Sequence, residues 1–141
     1  MFQSIVKTPD EALCHLFLHC CMKDGALKSE ELDMAADRIV RLNIHRNVDI
    51  KTETRRYVEY LSSVSDQAEY INYLVRIITP VNSLALYSYC VELILSDEQI
   101  ELTEDKLLSH IGNSLLLSKE EQHTVQKLIV QRRIIESDRI F

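Results

Sequence analysis

Two short stretches concentrate side chains that could hold a hard cation. The first, "MKDGALKSEEL", runs from Met22 to Leu32, and the second, "SDEQIELTEDKLL", from Ser96 to Leu108. In or beside them stand nine acids: Asp24, Glu30, Glu31, Asp33, Asp97, Glu98, Glu101, Glu104 and Asp105. Ca²⁺, Mg²⁺ and Mn²⁺ take several carboxylate, carbonyl and water oxygens, and crowded carboxylates on adjoining loops would recruit such an ion to offset their repulsion. The same acids have a structural reading. Glu30, Glu31, Glu104 and Asp105 stand where a helix N-terminus favours negative charge, and Asp24 and Asp97 suit Asx-type turns. Neither stretch follows the alternating ligands of an EF-hand.

Other chemistry is sparse. His15 and His19, at i and i+4, share a helix face and could share a transition metal. No glutamate follows the first histidine in the H-E-x-x-H manner and no third ligand is evident, so they read as partly buried or surface side chains. His45, His110 and His123 are isolated. Cys14, Cys20, Cys21 and Cys90 form no C-x-x-C pair and read as reduced core thiols of a cytoplasmic protein. With only Gly25 and Gly112, the chain has no phosphate-cradling loop or dinucleotide fingerprint, and it lacks G-x-S-x-G. The residues therefore point away from an enzyme. Tyr57, Tyr60, Tyr70, Tyr73, Tyr87 and Tyr89 read as edging the core rather than stacking bases.

Net charge argues in the same direction. The 141 residues carry 22 acids against 16 Lys and Arg, a formal charge of −6, which excludes a general nucleic-acid or anionic-membrane binder. One local exception, "QKLIVQRRIIESDR", gathers Lys127, Arg132, Arg133 and Arg139 and reads as a solvated helix face. No apolar run approaches the roughly 20 residues of a membrane span, and the N-terminus has no signal-peptide pattern.

The elements that must position these groups are helices. Two Gly and two Pro in the whole chain leave little material for hairpins. Thr8 and Pro9 open a helix that is apolar nearly all round, with Leu13, Phe17 and Cys20 or Cys21 on one stripe and Cys14, Leu18 and Cys21 on another. Ser29 caps a second, carrying Leu32, Ala35, Ala36, Ile39 and Val40 to about Asn43. A third, "TETRRYVEYLSSV", offers Val58 or Tyr57 with Leu61 and Val64. A fourth starts at Ser65 or Asp66 and carries Ile71, Leu74, Val75 and Ile78. After Pro80, "NSLALYSYCVELIL" is the second all-round apolar helix. Thr103 caps a sixth with Leu107, Leu108, Ile111 and Leu115. The "SKEE" of Ser118 to Glu121 has capping-box spacing and opens a seventh, with Val125, Leu128, Ile129 and Arg132 in phase. The reading is all-α: one domain over residues 1–141, a bundle of about seven helices with two central apolar ones.

An internal repeat runs through this order. Asp97 lies 73 residues after Asp24, and the same offset pairs Leu27 with Ile100 and Glu31 with Glu104. Two halves, about 9–64 and 65–135, would place the apolar helices side by side around a pseudo-twofold axis.

These residues resemble the tellurite-resistance TerB family and its wider TerB-like domain. The likeness rests on the apolar helix ending in Asp24-Gly25, Leu27, and the pair Glu30-Glu31. It continues with Asp97, Ile100, Glu104 and "IGNSLLLSKEE", spanning roughly residues 10 to 130. It implies an all-helical cytoplasmic protein of tellurite-resistance and stress-response type. It also implies a divalent-cation site, which falls on Asp24, Glu30, Glu31, Asp97 and Glu104. Glu98 departs from the pattern, because a glycine is expected there and a residue with a Cβ resists φ > 0. The other reading of the same residues is a helical interaction module that docks a protein partner on an exposed groove, with the acids as caps and no metal.

Overall fold

The computed structural model describes residues 1–22, 29–95 and 102–137. Among these residues the chain is all helical: α1 (Phe2–Ile5), α2 (Pro9–Cys21), α3 (Ser29–Arg41), α4 (Ile50–Leu61), α5 (Gln67–Ile78), α6 (Ser83–Ile94), α7 (Leu102–Ser114) and α8 (Lys119–Ser137), with a 3-10 turn at Ile44–Arg46. The seven longer helices stand where periodicity places them. The short α1, one turn ahead of Thr8, was not expected from the pattern.

Local chemistry sets the boundaries. Thr8 and Glu11 form a reciprocal capping box, with Pro9 in the first turn of α2. Asp49, Asp66 and Asn82 accept from the backbone of the third residue on, at the starts of α4, α5 and α6. Ser118 and Glu121 close the second capping box across the start of α8. Ser29 is the first residue inside α3 and Thr103 the second inside α7, so each lies slightly further into its helix than a cap. Asn43, at φ 61°, reverses the chain after α3.

The two apolar helices are central. α2 packs against α3, α4, α5 and α6, and α6 packs against α2, α3, α7 and α8. The 73-residue offset carries Ser29–Arg41 onto Leu102–Ser114 and sets α2 within a residue of α6 at its start. The core runs through Leu16, Phe17, Leu18, Ile71, Leu74, Val91 and Ile111, all fully buried. Burial of each such side chain contributes about 1.5–3 kcal/mol relative to exposure.

Two faces differ from the sequence reading. On α4 the buried stripe is Glu53, Tyr57 and Tyr60, while Val58 is 52 % exposed. On α8 the buried positions include Gln122, Gln126 and Ile129, and Leu128 is 60 % exposed. In both, polar groups with partners on neighbouring helices displace an aliphatic residue from the core face. Gly112 of α7 shows one such fit. A Cβ there would fall on the amide of Gln122, whose Nε2 donates to Asn113 Oδ1 at 3.1 Å and to the Leu117 carbonyl at 3.0 Å.

Candidate functional site

His15 and His19 sit one turn apart on α2, and α4 and α5 close over that face. His15 is fully buried and His19 is 7 % exposed, which corrects the expectation of partly buried or surface histidines. The reason is that α4 and α5 bring polar partners to both rings. His15 Nε2 lies 2.8 Å from Glu53 Oε1, and its Nδ1 lies 2.6 Å from the Tyr60 hydroxyl. His19 Nδ1 lies 2.8 Å from the Tyr57 hydroxyl, and its Nε2 lies 2.7 Å from Gln67 Oε1. The Tyr60 and Tyr70 hydroxyls are 2.5 Å apart.

Donor and acceptor counting orders the protons. Glu53 and the Gln67 carbonyl oxygen only accept, so each histidine carries its proton on Nε2. Each Nδ1 then accepts from a tyrosine. Because Tyr60 donates to His15, it accepts from Tyr70. With burial favouring the neutral ring, both histidines are thereby satisfied, with no nitrogen left for a metal or a substrate. Tyr57, Tyr60, Tyr70 and Tyr87 are fully buried, inside the core rather than at its edge.

Burial sets the electrostatics. Desolvation pulls His19 down to about 4 and also lowers His15, where the hydrogen bond to Glu53 works in the opposite sense. The same desolvation pushes the Cys14 thiol up to about 12 and raises Tyr57, Tyr60 and Tyr70 above the ordinary phenol range. The thiol and these three phenols therefore stay protonated near neutral pH. Glu53 also takes Arg56 Nη1, at 3.0 Å and 3.1 Å, and the same nitrogen lies 2.9 Å from Glu11 Oε2. Burial alone would raise Glu11, but Arg56 and the backbone N–H groups of Lys7 and Thr8 hold it below its usual value.

The acids singled out by sequence divide. Asp24 and Asp97 lie outside the described residues, with the repeat's Gly25, Leu27, Glu98 and Ile100. Glu30 is exposed and Glu31 half-buried in the first turn of α3, and Glu104 is buried in the first turn of α7. Among the described residues no three His, Cys, Asp or Glu side chains converge to hold a metal. All four cysteines are buried and none is in a disulfide, as the thiol reading expects.

The site that sequence reasoning missed is a groove of about 330 Å³ lined by Met34, Arg38, Arg41, Glu92, Ile129, Arg132 and Arg133. α3 and α8 each pack on α6 and form its walls. Arg38 grips Glu92 Oε2 through Nε at 3.2 Å and Nη2 at 2.9 Å, and its Nη1 reaches Asp37 at 2.7 Å. Arg133 donates to the Glu92 carbonyl. Arg41 is 65 % exposed and touches Asp37 at 3.1 Å, while Arg132 is exposed and makes no ion pair among the described residues. Two arginines are thus fixed as a frame and two reach solvent. The signal was half visible: "QRR" on α8 was read as a solvated face, but its partners on α3 are about 90 residues away in sequence.

No helix among the described residues is long and apolar enough to cross a membrane. No protein-family model matches the chain, and neither does any curated protein or any solved structure. The TerB-like resemblance therefore rests on the residues quoted for it.

Proposed function

We propose that the chain is a non-enzymatic, cytoplasmic helical protein of the TerB-like kind it resembles, and that it acts by docking a protein partner on the groove between α3 and α8. The observation that supports this reading is the contrast between two sets of polar side chains. The buried set, His15, His19, Glu53, Tyr57, Tyr60 and Tyr70, is satisfied internally. The exposed set lines a groove with apolar Met34 and Ile129 between arginines, and Arg and Met are residue types enriched at interfaces. Four buried thiols suit a reducing compartment.

A photo-crosslinking residue placed at Arg41 or Arg132, both exposed and lining the groove, tests the docking surface in living cells. Discrete protein adducts are expected from these positions and not from Glu59 on α4. Equal labelling at Glu59, or none at the groove, would overturn the reading.

A second reading, a divalent-cation site at the acidic loops in a stress or tellurite-resistance role, has its own support. Glu31 and Glu104 occupy the same register of α3 and α7, and both are drawn partly or fully inward.

A further inference from the structure

Resting on the docking reading, we infer that the groove's occupant is an acidic, amphipathic helix from a partner protein. Charge is the first reason. The chain is strongly acidic, yet this groove inverts the sign locally with Arg38, Arg41, Arg132 and Arg133 against Glu92 and the neighbouring Asp37. Arg41 and Arg132 stand on opposite walls and reach solvent, where a guanidinium fork matches an incoming carboxylate.

Shape is the second reason. Met34, Arg38 and Arg41 follow i, i+4, i+7 along α3, and Ile129, Arg132 and Arg133 stand at i, i+3, i+4 along α8, so each wall is one face of a helix. On the walls themselves the apolar Met34 and Ile129 lie among arginines, and the complement of that pattern is a helix with aliphatic residues on one face and Glu or Asp beside them. Lys or Arg on that helix would meet like charge, which selects against basic partners.

The test is peptide display from a random library of about sixteen residues, roughly four helical turns. It is screened against the native chain and against an Arg41→Glu/Arg132→Glu variant, whose two sites are exposed and whose fold is checked by circular dichroism. Peptides that depend on the groove are expected to be acidic with aliphatic residues three or four apart. They should bind the variant roughly tenfold or more weakly and lose affinity as salt rises. Groove-dependent peptides that are neutral or basic would overturn the inference while leaving the docking reading intact. Enrichment of no groove-dependent peptide would overturn both. Self-association in sedimentation that the same variant abolishes would replace the partner helix by a second copy of this chain.

Discussion

The Nε2 atom of His15 lies 2.8 Å from Oε1 of Glu53, a carboxylate that also receives Arg56, so one acid joins α2 to α4 while neutralising a cation beside it. Glu53 is only 5 % exposed. Glu53→Ala leaves a buried N–H without its acceptor and an arginine with half its carboxylates, a loss of about 3 kcal/mol. Glu53→Gln retains an acceptor oxygen for His15 and is expected to lose about 1 kcal/mol. Urea midpoints of the two variants measure the difference, and equal losses would show that the bond to His15 contributes nothing.

Acid should weaken the fold before most carboxylates titrate. His19 is held near 4 in the folded chain against an ordinary 6.5, so between these values the unfolded state binds more protons. Stability is fully present above about 6.5 and is lost as pH falls toward 4, by about 2 kcal/mol between pH 7 and pH 5. His15, shifted in the same direction, adds to the slope. Glu11, whose folded value is depressed, loses its contribution at lower pH still. Urea melts at half-unit pH steps should show this slope, and His19→Gln should flatten it; an unchanged slope in that variant would refute the assignment.

Gln126 Nε2 donates to the Tyr87 hydroxyl at 2.8 Å, a buried link between α6 and α8. Tyr87→Phe strands the Gln126 amide and is expected to cost about 1–2 kcal/mol. Tyr87→Phe combined with Gln126→Leu removes both polar groups and should recover most of that loss. A double-mutant cycle in guanidinium decides: additive losses would mean that the two side chains are not coupled.

Thermal melts of metal-stripped protein separate the two readings of the acidic loops. A cation bound only by the native state must raise the melting temperature. If Glu30, Glu31 and Glu104 serve as helix-start acids, millimolar Ca²⁺, Mg²⁺ and Mn²⁺ should each leave the melt unchanged. A rise that disappears in Asp24→Asn and Asp97→Asn would establish the cation site instead.

What was legible in the sequence followed from local rules. Thr8 before Pro9 and Ser118 with Glu121 announce helix starts by local rules, and both caps form, the first with Glu11 as a reciprocal box. The apolar circumference of α2 and α6 announces their central place. The histidine network was hidden because its partners are 38 to 48 residues away from the rings they hold. Periodicity leaves Val58 and Tyr57 both open on α4, and Tyr57 is the buried one because its hydroxyl finds His19 and its ring fills the core. The groove was hidden for a similar reason: its arginines belong to two helices far apart in sequence that both pack on α6.

The N-terminal segment is tied down in an uneven way. Tyr73 donates to the Val6 carbonyl at 2.6 Å and the Gln3 carbonyl at 3.2 Å, and Arg56 donates to the Ile5 carbonyl at 2.6 Å. All three acceptors are main-chain atoms. Apart from Phe2, which packs its ring on Tyr70 and Tyr73, the buried Val6 and the half-buried Ile5 against the core, the segment is anchored by groups that every amino acid possesses. Exchanging the side chains of Gln3 or Ser4 therefore leaves these three anchors in place, whereas losing Tyr73 or Arg56, far along the chain, releases the segment's start.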